Sequence, residues 1–158
     1  MVDVTALSDL ARSRHLHVAV AESLTSGALA SAVGAGAEAS TWFSGGVVAY
    51  LPEVKEWVLG FPADRDPTSA ECAEQLARGA RELLDADLCV STTGVGGPDA
   101  EDGHPAGTVF LGWATRDGAG HRRLALDGEP DEVLEATVEA AVQLLTFHAG
   151  RVDGAGDH

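Results

Sequence analysis

The stretch LHVAVAESLTSG, residues 16–27, decides the fold of this chain. Its first half, LHVAVA at 16–21, is a short apolar run that is typical of a buried strand. The run ALASAVGAG at 28–36, which ends in glycines, then has the pattern of a helix. The chain therefore passes from a strand to a helix at Ser23, and small hydroxyl residues occupy the turn.

Outward from this stretch, strands and helices first alternate and then give way to locally paired strands. The predicted order is α-β-α-β-α-α-β-β-β-α, with Asp117-Gly118 as a hairpin turn and Thr68 with Glu71 at capping-box spacing. This order predicts an α/β fold, a three-layer α/β/α sandwich with a mixed, mostly parallel sheet. Predicted helices cover 3–14, 28–36, 52–60, 68–85 and the segment that Pro130 opens, and predicted strands cover 16–21, 42–50, 87–92, 108–115 and 121–127.

Length and composition favour a single cytoplasmic domain. A chain of 158 residues can bury a core without disulfides or metals, and we expect one domain over 1–150 and a disordered tail over 151–158. The net charge of −15 leaves no material for a basic face, which excludes general nucleic-acid and anionic-membrane binding. No apolar run reaches the ~20 residues of a membrane span. Cys72 and Cys89 have no metal or C-x-x-C spacing, so we expect buried free thiols and a cytoplasmic protein.

Two segments, one around Ser23 and one around Lys55, carry polar groups that could bind a ligand or take part in catalysis. In AESLTSG at 21–27, backbone N–H groups at a helix start can hold an anion or an oxyanion. The same residues can simply cap the helix, and from the residues alone the cap is the favoured interpretation. Tyr50 and Lys55 stand out because basic residues are scarce, although a single lysine on a short helix is usually a solvated surface charge.

The glycine-rich segment STTGVGGP at 91–98 follows a buried strand, where open α/β sheets bind ligands. A ligand loop and a plain turn are equally supported here, and no G-x-G-x-x-G dinucleotide fingerprint is present. The six histidines show no metal-ligand spacing, so we expect neither a metal nor another cofactor.

Taken in order, four segments resemble the CinA family, meaning the C-terminal CinA domain and the stand-alone nicotinamide-nucleotide amidases. They are similar to the family patterns AESCTGG, F-x-x-G-x-V-x-Y-S-N-E-x-K, TGIAGP and KPVGTV. No single segment is specific, but all four in this order at compatible spacings are. The segments are AESLTSG at 21–27, FSGGVVAYLPEVK at 43–55, TGVGGP at 93–98 and HPAGTVF at 104–110, and the resemblance covers roughly residues 5–148.

The resemblance implies an amidohydrolase. Members of the family deamidate nicotinamide mononucleotide to nicotinate mononucleotide and ammonia with a serine and a lysine. By motif, Ser23 is the implied nucleophile and Lys55 its base, and Tyr50 and Thr93 are further implied catalytic residues. We also expect a nucleotide as the small-molecule partner and a homodimer. The implied substrate-binding residues are Glu22, Thr25, Gly27, Gly45, Gly46, Gly94 and Gly97.

Lys55 can act as a base only if its environment changes its protonation. A free lysine has a pKa near ~10.4 and is protonated at neutral pH, so burial or cationic neighbours must lower that pKa. A cationic pyridinium ring in the substrate would help. Glu22 would oppose the change if it touched Lys55, so we expect Glu22 to face elsewhere.

Two anionic groups of the reaction need hydrogen-bond donors. We expect the oxyanion to meet backbone N–H groups of 23–27 together with the Thr93 hydroxyl. We expect a substrate phosphate to lie against backbone amides near Gly27, Gly45 or Gly94.

Several positions depart from the family patterns: Leu24 replaces cysteine, Ser26 replaces glycine, Leu51-Pro52 replaces serine-asparagine, and His104 replaces lysine. In addition, the stretch 99–102 is acidic and repels phosphate. Two hypotheses therefore stay open. One is an active amidase on nicotinamide mononucleotide or a near relative, and the other is a catalytically silent nucleotide-binding or regulatory paralogue.

The structure of the pocket separates these hypotheses. An open pocket with Lys55 within hydrogen-bond reach of Ser23 favours the amidase. A pocket filled by Leu24 or Leu51 favours the silent paralogue.

Overall fold

Strand β1 (Val18–Glu22) is buried along its whole length inside a five-stranded sheet in the computed structural model, which describes residues 2–155. Helices cover both faces of the sheet, so the chain forms an α/β/α sandwich, and the predicted element order is confirmed. The helices are α1 (Thr5–Ser13), α2 (Ala28–Gly34), α3 (Pro52–Leu59), α4 (Ala70–Leu83) and α5 (Pro130–Ala149), and the other strands are β2 (Phe43–Val48), β3 (Leu88–Gly94), β4 (Thr108–Thr115) and β5 (Ala119–Ala125).

The sheet has the strand order β2-β1-β3-β4-β5. Strand β1 pairs in parallel with β2 and β3, whereas β3–β4 and β4–β5 are antiparallel pairs. Two successive reversals give β5 the direction of β1, β2 and β3, so among these strands only β4 runs against the rest. This confirms the predicted mixed, mostly parallel sheet. The predicted hairpin between β4 and β5 is present, but its turn lies at Arg116-Asp117, one residue before the predicted Asp117-Gly118, because Thr115 pairs with Gly118.

The side chains of β1 alternate between two cores. Val18 and Val20 face the core that α1, α2 and α5 cover, and Ala19 and Ala21 face the core beneath α3 and α4. The second core is rich in small residues, so α4 approaches the sheet closely. A Cβ added at Gly112 of β4 would collide with a backbone carbonyl of α4. The sandwich is therefore tighter on its α4 side.

Gly45 and Gly46 allow β2 to pack on β1. The pairing register shifts beside Gly45, whose φ of +129° suits glycine. A Cβ on Gly46 would press against the Val20 side chain of β1. Gly45 therefore accommodates the irregular register of β2, and Gly46 allows the close approach of β2 to β1.

The start of α4 differs from the prediction by one residue. The Ser69 Oγ accepts a hydrogen bond from the Cys72 N–H (3.0 Å), so Ser69 is the N-cap of the helix. The predicted capping box of Thr68 and Glu71 is wrong, because Thr68 lies one residue before the cap.

The prediction of a disordered tail over 151–158 is wrong for residues 151–155, and residues 156–158 lie outside the described range. The Arg14 guanidinium donates to the Val152 carbonyl (2.9 Å). The Gly154 N–H donates to the Arg14 carbonyl (3.3 Å), and the Ala155 N–H donates to the buried Asp87 carboxylate (3.2 Å). Long-range partners thus hold a segment whose composition alone is typical of a loose end.

Within residues 2–155, no helix is long and apolar enough to cross a bilayer. Cys72 and Cys89 are buried free thiols, as predicted. The same residues contain no group of three or more His, Cys, Asp or Glu side chains that is arranged to hold a metal ion.

Candidate active site

Three parallel strands end at the edge of the sheet where the predicted site residues begin. Glu22, the last residue of β1, pairs in register with Val48 of β2 and Thr92 of β3. The Ser23 N–H donates to the Thr92 carbonyl (3.0 Å), and the Ala49 N–H donates to the Glu22 carbonyl (2.9 Å). These bonds hold the three segments together just beyond the strands, where open α/β folds bind ligands.

A pocket of about 230 Å³, called here the Ser23–Lys55 pocket, opens at this edge. It brings together all four predicted catalytic residues and two predicted glycines, Gly94 and Gly97. It also contains Gly96 and the acidic residues Glu101 and Asp102, which sequence reasoning did not place in the site. The lining residues are Ser23, Leu24, Tyr50, Pro52, Lys55, Pro67, Thr68, Thr93, Gly94, Gly96, Gly97, Glu101 and Asp102.

Lys55 is the only lysine of the chain, and α3 carries it into the wall of this pocket. It lies one turn before Leu59 on the buried face of α3 and is only 4% exposed. Burial lowers its pKa below the ordinary value, and the nearby Cys72 thiol opposes this change only in part. Within the described residues, the Lys55 Nζ has no hydrogen-bond or ion-pair partner, although the Lys55 backbone bonds Leu51 and Phe61. The amine therefore has no counter-ion and reaches the pocket, as a lysine base requires.

Ser23 is 6% exposed and lines the pocket with its side chain uncommitted. Its N–H is fixed by β3, and its carbonyl accepts from the Ser26 N–H (3.1 Å). Its Oγ makes no hydrogen bond with another residue of the described range, Lys55 included. The two side chains thus share the pocket without a direct hydrogen bond between them.

Glu22 and Thr25, which were predicted to bind substrate, stabilise the turn instead. The Glu22 carboxylate accepts hydrogen bonds from the N–H groups of Leu29 (2.8 Å) and Ala30 (3.0 Å) and from the Thr25 hydroxyl (2.6 Å). It satisfies N–H groups in the first turn of α2, which have no partner inside the helix. Neither residue lines the pocket, and their contact with substrate stays a prediction. Glu22 faces away from Lys55, as expected.

Three of the predicted glycines also lie outside the pocket lining. Gly27 has a φ of +104° and is the left-handed residue that precedes α2. Gly45 and Gly46 serve the packing of β2. Backbone geometry accounts for each of these three glycines, and their contact with substrate stays a prediction.

Thr93 lines the pocket, but its hydroxyl donates to the Pro67 carbonyl (2.5 Å). A threonine hydroxyl has a single hydrogen. In this geometry that hydrogen is used by Pro67, so donation from Thr93 to an oxyanion would require this bond to break and stays a prediction. The bond instead holds the segment before α4 against the end of β3.

Backbone N–H groups remain free on two sides of the pocket. The N–H groups of Ser23 and Ser26 are used within the protein, whereas those of Leu24, Gly96 and Gly97 donate to no other described residue. Such groups can stabilise an oxyanion. Sequence reasoning missed Gly96, because a glycine loop does not reveal which of its amides border a cavity.

A larger cleft of about 710 Å³ lies at the opposite edge of the sheet, beside Arg12 and Arg14. Arg12 pairs with Glu38, and Arg14 pairs with Asp153. These ion pairs neutralise the charges of the cleft, and none of the predicted catalytic residues lines it. The Ser23–Lys55 pocket is therefore the candidate active site.

Comparison with known proteins identifies the family of this chain. Residues 4–148 match the CinA C-terminal domain. The chain belongs to this family. A CinA-like protein of Geobacter sulfurreducens is 38% identical over 146 residues, which are 89% of this chain and 35% of the relative. A competence-damage inducible protein of Bacillus cereus is 44% identical over 69% of this chain and 27% of its own length. This CinA-domain chain thus spans about a third or less of these relatives.

Solved structures of the CinA superfamily share the fold of this CinA-domain chain. A superfamily member from Klebsiella pneumoniae superposes with a TM-score of 0.88 at 29% identity and covers 94% of this chain and 96% of its own. One from Escherichia coli has a TM-score of 0.86 at 33% identity and covers 91% and 87%. The three-layer architecture is therefore that of the family.

We expect the substitution Glu22→Ala to lower the free energy of unfolding by about 3 kcal/mol, because it leaves buried N–H groups without an acceptor. Glu22→Gln keeps one acceptor oxygen, so its free energy of unfolding should lie between those of the wild type and Glu22→Ala. Urea unfolding measures both, and Glu139→Ala on the exposed side of α5 is the matched control. Equal stability of Glu22→Ala and the control would contradict the role of Glu22 at the start of α2.

We expect Lys55→Met to stabilise the protein at neutral pH, because methionine fills the space without a buried ammonium. In the folded protein the pKa of Lys55 lies below its ordinary value of 10.5, so the unfolded chain binds more protons between these pKa values. The advantage of methionine is therefore largest below the lowered pKa and shrinks as pH rises toward 10.5.

Urea unfolding of the wild type and Lys55→Met across this pH range tests the sign. Burial raises the pKa of the neighbouring Cys72 to about 11 in the folded protein, so that thiol stays mostly neutral there over most of the same range. A stability difference that grows with pH would refute the interpretation.

Proposed function

We propose that this CinA-domain chain is a serine–lysine amidohydrolase that deamidates nicotinamide mononucleotide or a near relative to the corresponding acid and ammonia. One observation carries the proposal: a buried lysine without a counter-ion lines the same pocket as an uncommitted serine hydroxyl. In family terms, Ser23 and Lys55 occupy the motif positions of the nucleophile and the base. The surrounding geometry supports each step of this chemistry.

In the first half of the reaction, Lys55 in its neutral form takes the proton of the Ser23 hydroxyl. The Ser23 Oγ then attacks the carboxamide carbon, and the carbonyl oxygen becomes an oxyanion. The free N–H groups of Leu24, Gly96 and Gly97 are the donors available to it. Catalytic hydrogen bonds often tighten only when substrate binds, so the separate Ser23 and Lys55 side chains are compatible with this role.

In the second half, the protonated Lys55 gives its proton to the leaving nitrogen, and the carbon–nitrogen bond breaks to release ammonia. Water then hydrolyses the acyl ester on Ser23, with Lys55 again as the base. The buried position of Lys55 supports both directions of proton transfer, because a lowered pKa places the two protonation states closer in free energy. No metal is needed for these steps.

The alternative, a silent binding paralogue, has less support. Leu51 is 59% exposed and does not line the pocket, and Leu24 lines it without filling it. The departures at both positions thus leave the Ser23–Lys55 pocket open. A silent protein would also have no use for an uncompensated buried lysine, which destabilises the fold.

We expect Ser23→Ala and Lys55→Met each to lower ammonia release from nicotinamide mononucleotide by roughly 100-fold or more. The control Ser31→Ala, an exposed serine of α2, should leave the rate unchanged. If both active-site variants retain the wild-type rate, the amidase proposal fails. If the wild type binds the mononucleotide without releasing ammonia, the silent paralogue is supported.

The rate of ammonia release should also depend on pH, and the lowered pKa of Lys55 gives the direction of this dependence. The value of kcat/KM should rise with pH to a plateau as Lys55 loses its proton, with a midpoint below 10.5. Because Lys55 is the only lysine, NMR of the reductively methylated protein titrates it directly beside the N-terminal amine. The two midpoints should agree, and disagreement would remove Lys55 as the base.

We also propose that the chain forms a homodimer through an exposed apolar face on β2 and α3. Val48, Leu51, Trp57 and Val58 are all exposed there, Trp57 to 76%. Light scattering should give twice the mass of one chain, and Trp57→Asp should give monomers. The control Leu83→Asp, at an exposed leucine of α4, should stay dimeric. A monomeric wild type would refute the proposal.

A further inference from the structure

The loop between β3 and β4, residues 95–107, supplies free backbone amides to the Ser23–Lys55 pocket. Gly96 and Gly97 of this loop line the pocket, and their N–H groups donate to no other described residue. Both amides are donors available to the oxyanion of the proposed reaction. Whether they can serve it depends on how the loop is held in place.

Backbone hydrogen bonds fix the base and the tip of this loop. At the base, the Val95 N–H donates to the Thr108 carbonyl (2.9 Å), and the Gly107 N–H donates to the Val95 carbonyl (2.8 Å). At the tip, the Glu101 N–H donates to the His104 carbonyl (3.0 Å), and the His104 N–H donates to the Glu101 carbonyl (2.8 Å). These bonds shape the loop, but they do not attach its tip to another part of the pocket.

A single side-chain contact makes that attachment. The His104 Nε2 lies 2.7 Å from a carboxylate oxygen of Asp66. An ionised carboxylate only accepts hydrogen bonds, so the ring nitrogen is the donor. Within residues 2–155, no other hydrogen bond or ion pair joins residues 96–104 to a part of the chain outside the loop. The His104 side chain is 24% exposed, so the contact is partly shielded from water.

Asp66 is a fixed anchor for this contact. Its other carboxylate oxygen accepts from the Thr68 N–H (2.9 Å), and its carbonyl accepts from the hydroxyl of Ser69 (2.8 Å), the N-cap of α4. The next residue, Pro67, accepts the Thr93 hydroxyl at the end of β3 (2.5 Å). The anchor is thus tied to α4 and to the sheet, and the loop is the less constrained partner.

We propose that His104 is a positioning residue, whose bond to Asp66 holds the free loop amides in the pocket. This inference rests on the proposed amidase function for the reaction, and on the His104–Asp66 bond for the placement of the loop. Oxyanion donors stabilise a transition state best when they are fixed before the reaction begins. A loop released from Asp66 samples other positions, whereas the two reactive side chains lie on other elements and stay in place.

The test measures ammonia release from nicotinamide mononucleotide by the wild type, His104→Ala and His104→Gln. Glutamine is the conservative variant, because its side-chain amide also donates a hydrogen bond. The matched control is His121→Ala, which removes a contact of the same type, between His121 and Glu74 (3.1 Å), outside the pocket lining. Hydrogen exchange of the backbone amides at positions 101 and 104 reports on the loop independently of activity.

We expect His104→Ala to lower kcat by about 10- to 100-fold with little change in KM, because misplaced donors weaken only the binding of the transition state. Exchange at positions 101 and 104 should become severalfold faster. His104→Gln should restore most of kcat, and His121→Ala should match the wild type. A wild-type kcat in His104→Ala, a loss confined to KM, or an equal loss in the control would overturn the inference.

A double-variant cycle separates the bond from the histidine itself. In the Asp66→Ala background, His104→Ala should cause no further loss of kcat, because the bond is already absent. A further loss of full size would contradict the proposed role of the bond. If the wild type releases no ammonia, the amidase proposal fails, and the exchange rates then decide on the loop. Faster exchange in His104→Ala than in the control supports its attachment through Asp66, and equal exchange refutes it.

Discussion

The buried carboxylate of Glu22 is the interaction on which the site depends. It ends β1 and accepts hydrogen bonds from the first turn of α2, so it fixes the angle at which the chain leaves the sheet. Because its oxygens are used in this way, the carboxylate does not neutralise Lys55. The serine that follows it is held by β3 through its own N–H, which leaves the hydroxyl uncommitted at the edge of the sheet. A structural charge and a reactive hydroxyl are thus neighbours in sequence with separate functions.

The two faces of the sheet are packed with side chains of different size. Large aliphatic side chains fill the face covered by α1, α2 and α5, and this core supplies most of the apolar burial. The other face is rich in alanine, cysteine and glycine beside a few larger side chains, so α4 lies close to the sheet. Close packing there carries Cys72 and the segment before α4 next to Lys55, where they remove water from the amine. Burial in this closely packed layer therefore lowers the pKa of Lys55.

The Ser23–Lys55 pocket combines a buried lysine and an uncommitted serine hydroxyl with an acidic turn at residues 101–104. The acidic turn is a separate structural unit, with its own backbone bonds and its own tie to Asp66. The turn lies beyond β3 and outside the elements that hold Ser23 and Lys55. Different parts of the fold therefore supply the acidic residues and the Ser23–Lys55 pair.

The sequence by itself determined the element order, the mixed sheet and the strand-to-helix turn at Ser23, because hydrophobic period and glycine placement are local properties. The ordered motifs also identified Ser23, Lys55, Tyr50, Thr93, Gly94 and Gly97, which do share one pocket. Only the tertiary structure decided what the polar groups do there. It assigned Glu22 and Thr25 to the start of α2, gave the Thr93 hydroxyl to Pro67, and placed Glu101 and Asp102 in the pocket wall. It also bound residues 151–155 to Arg14 and Asp87. The physical reason is that a polar atom's role depends on which partners reach it in space, and those partners lie far away along the chain.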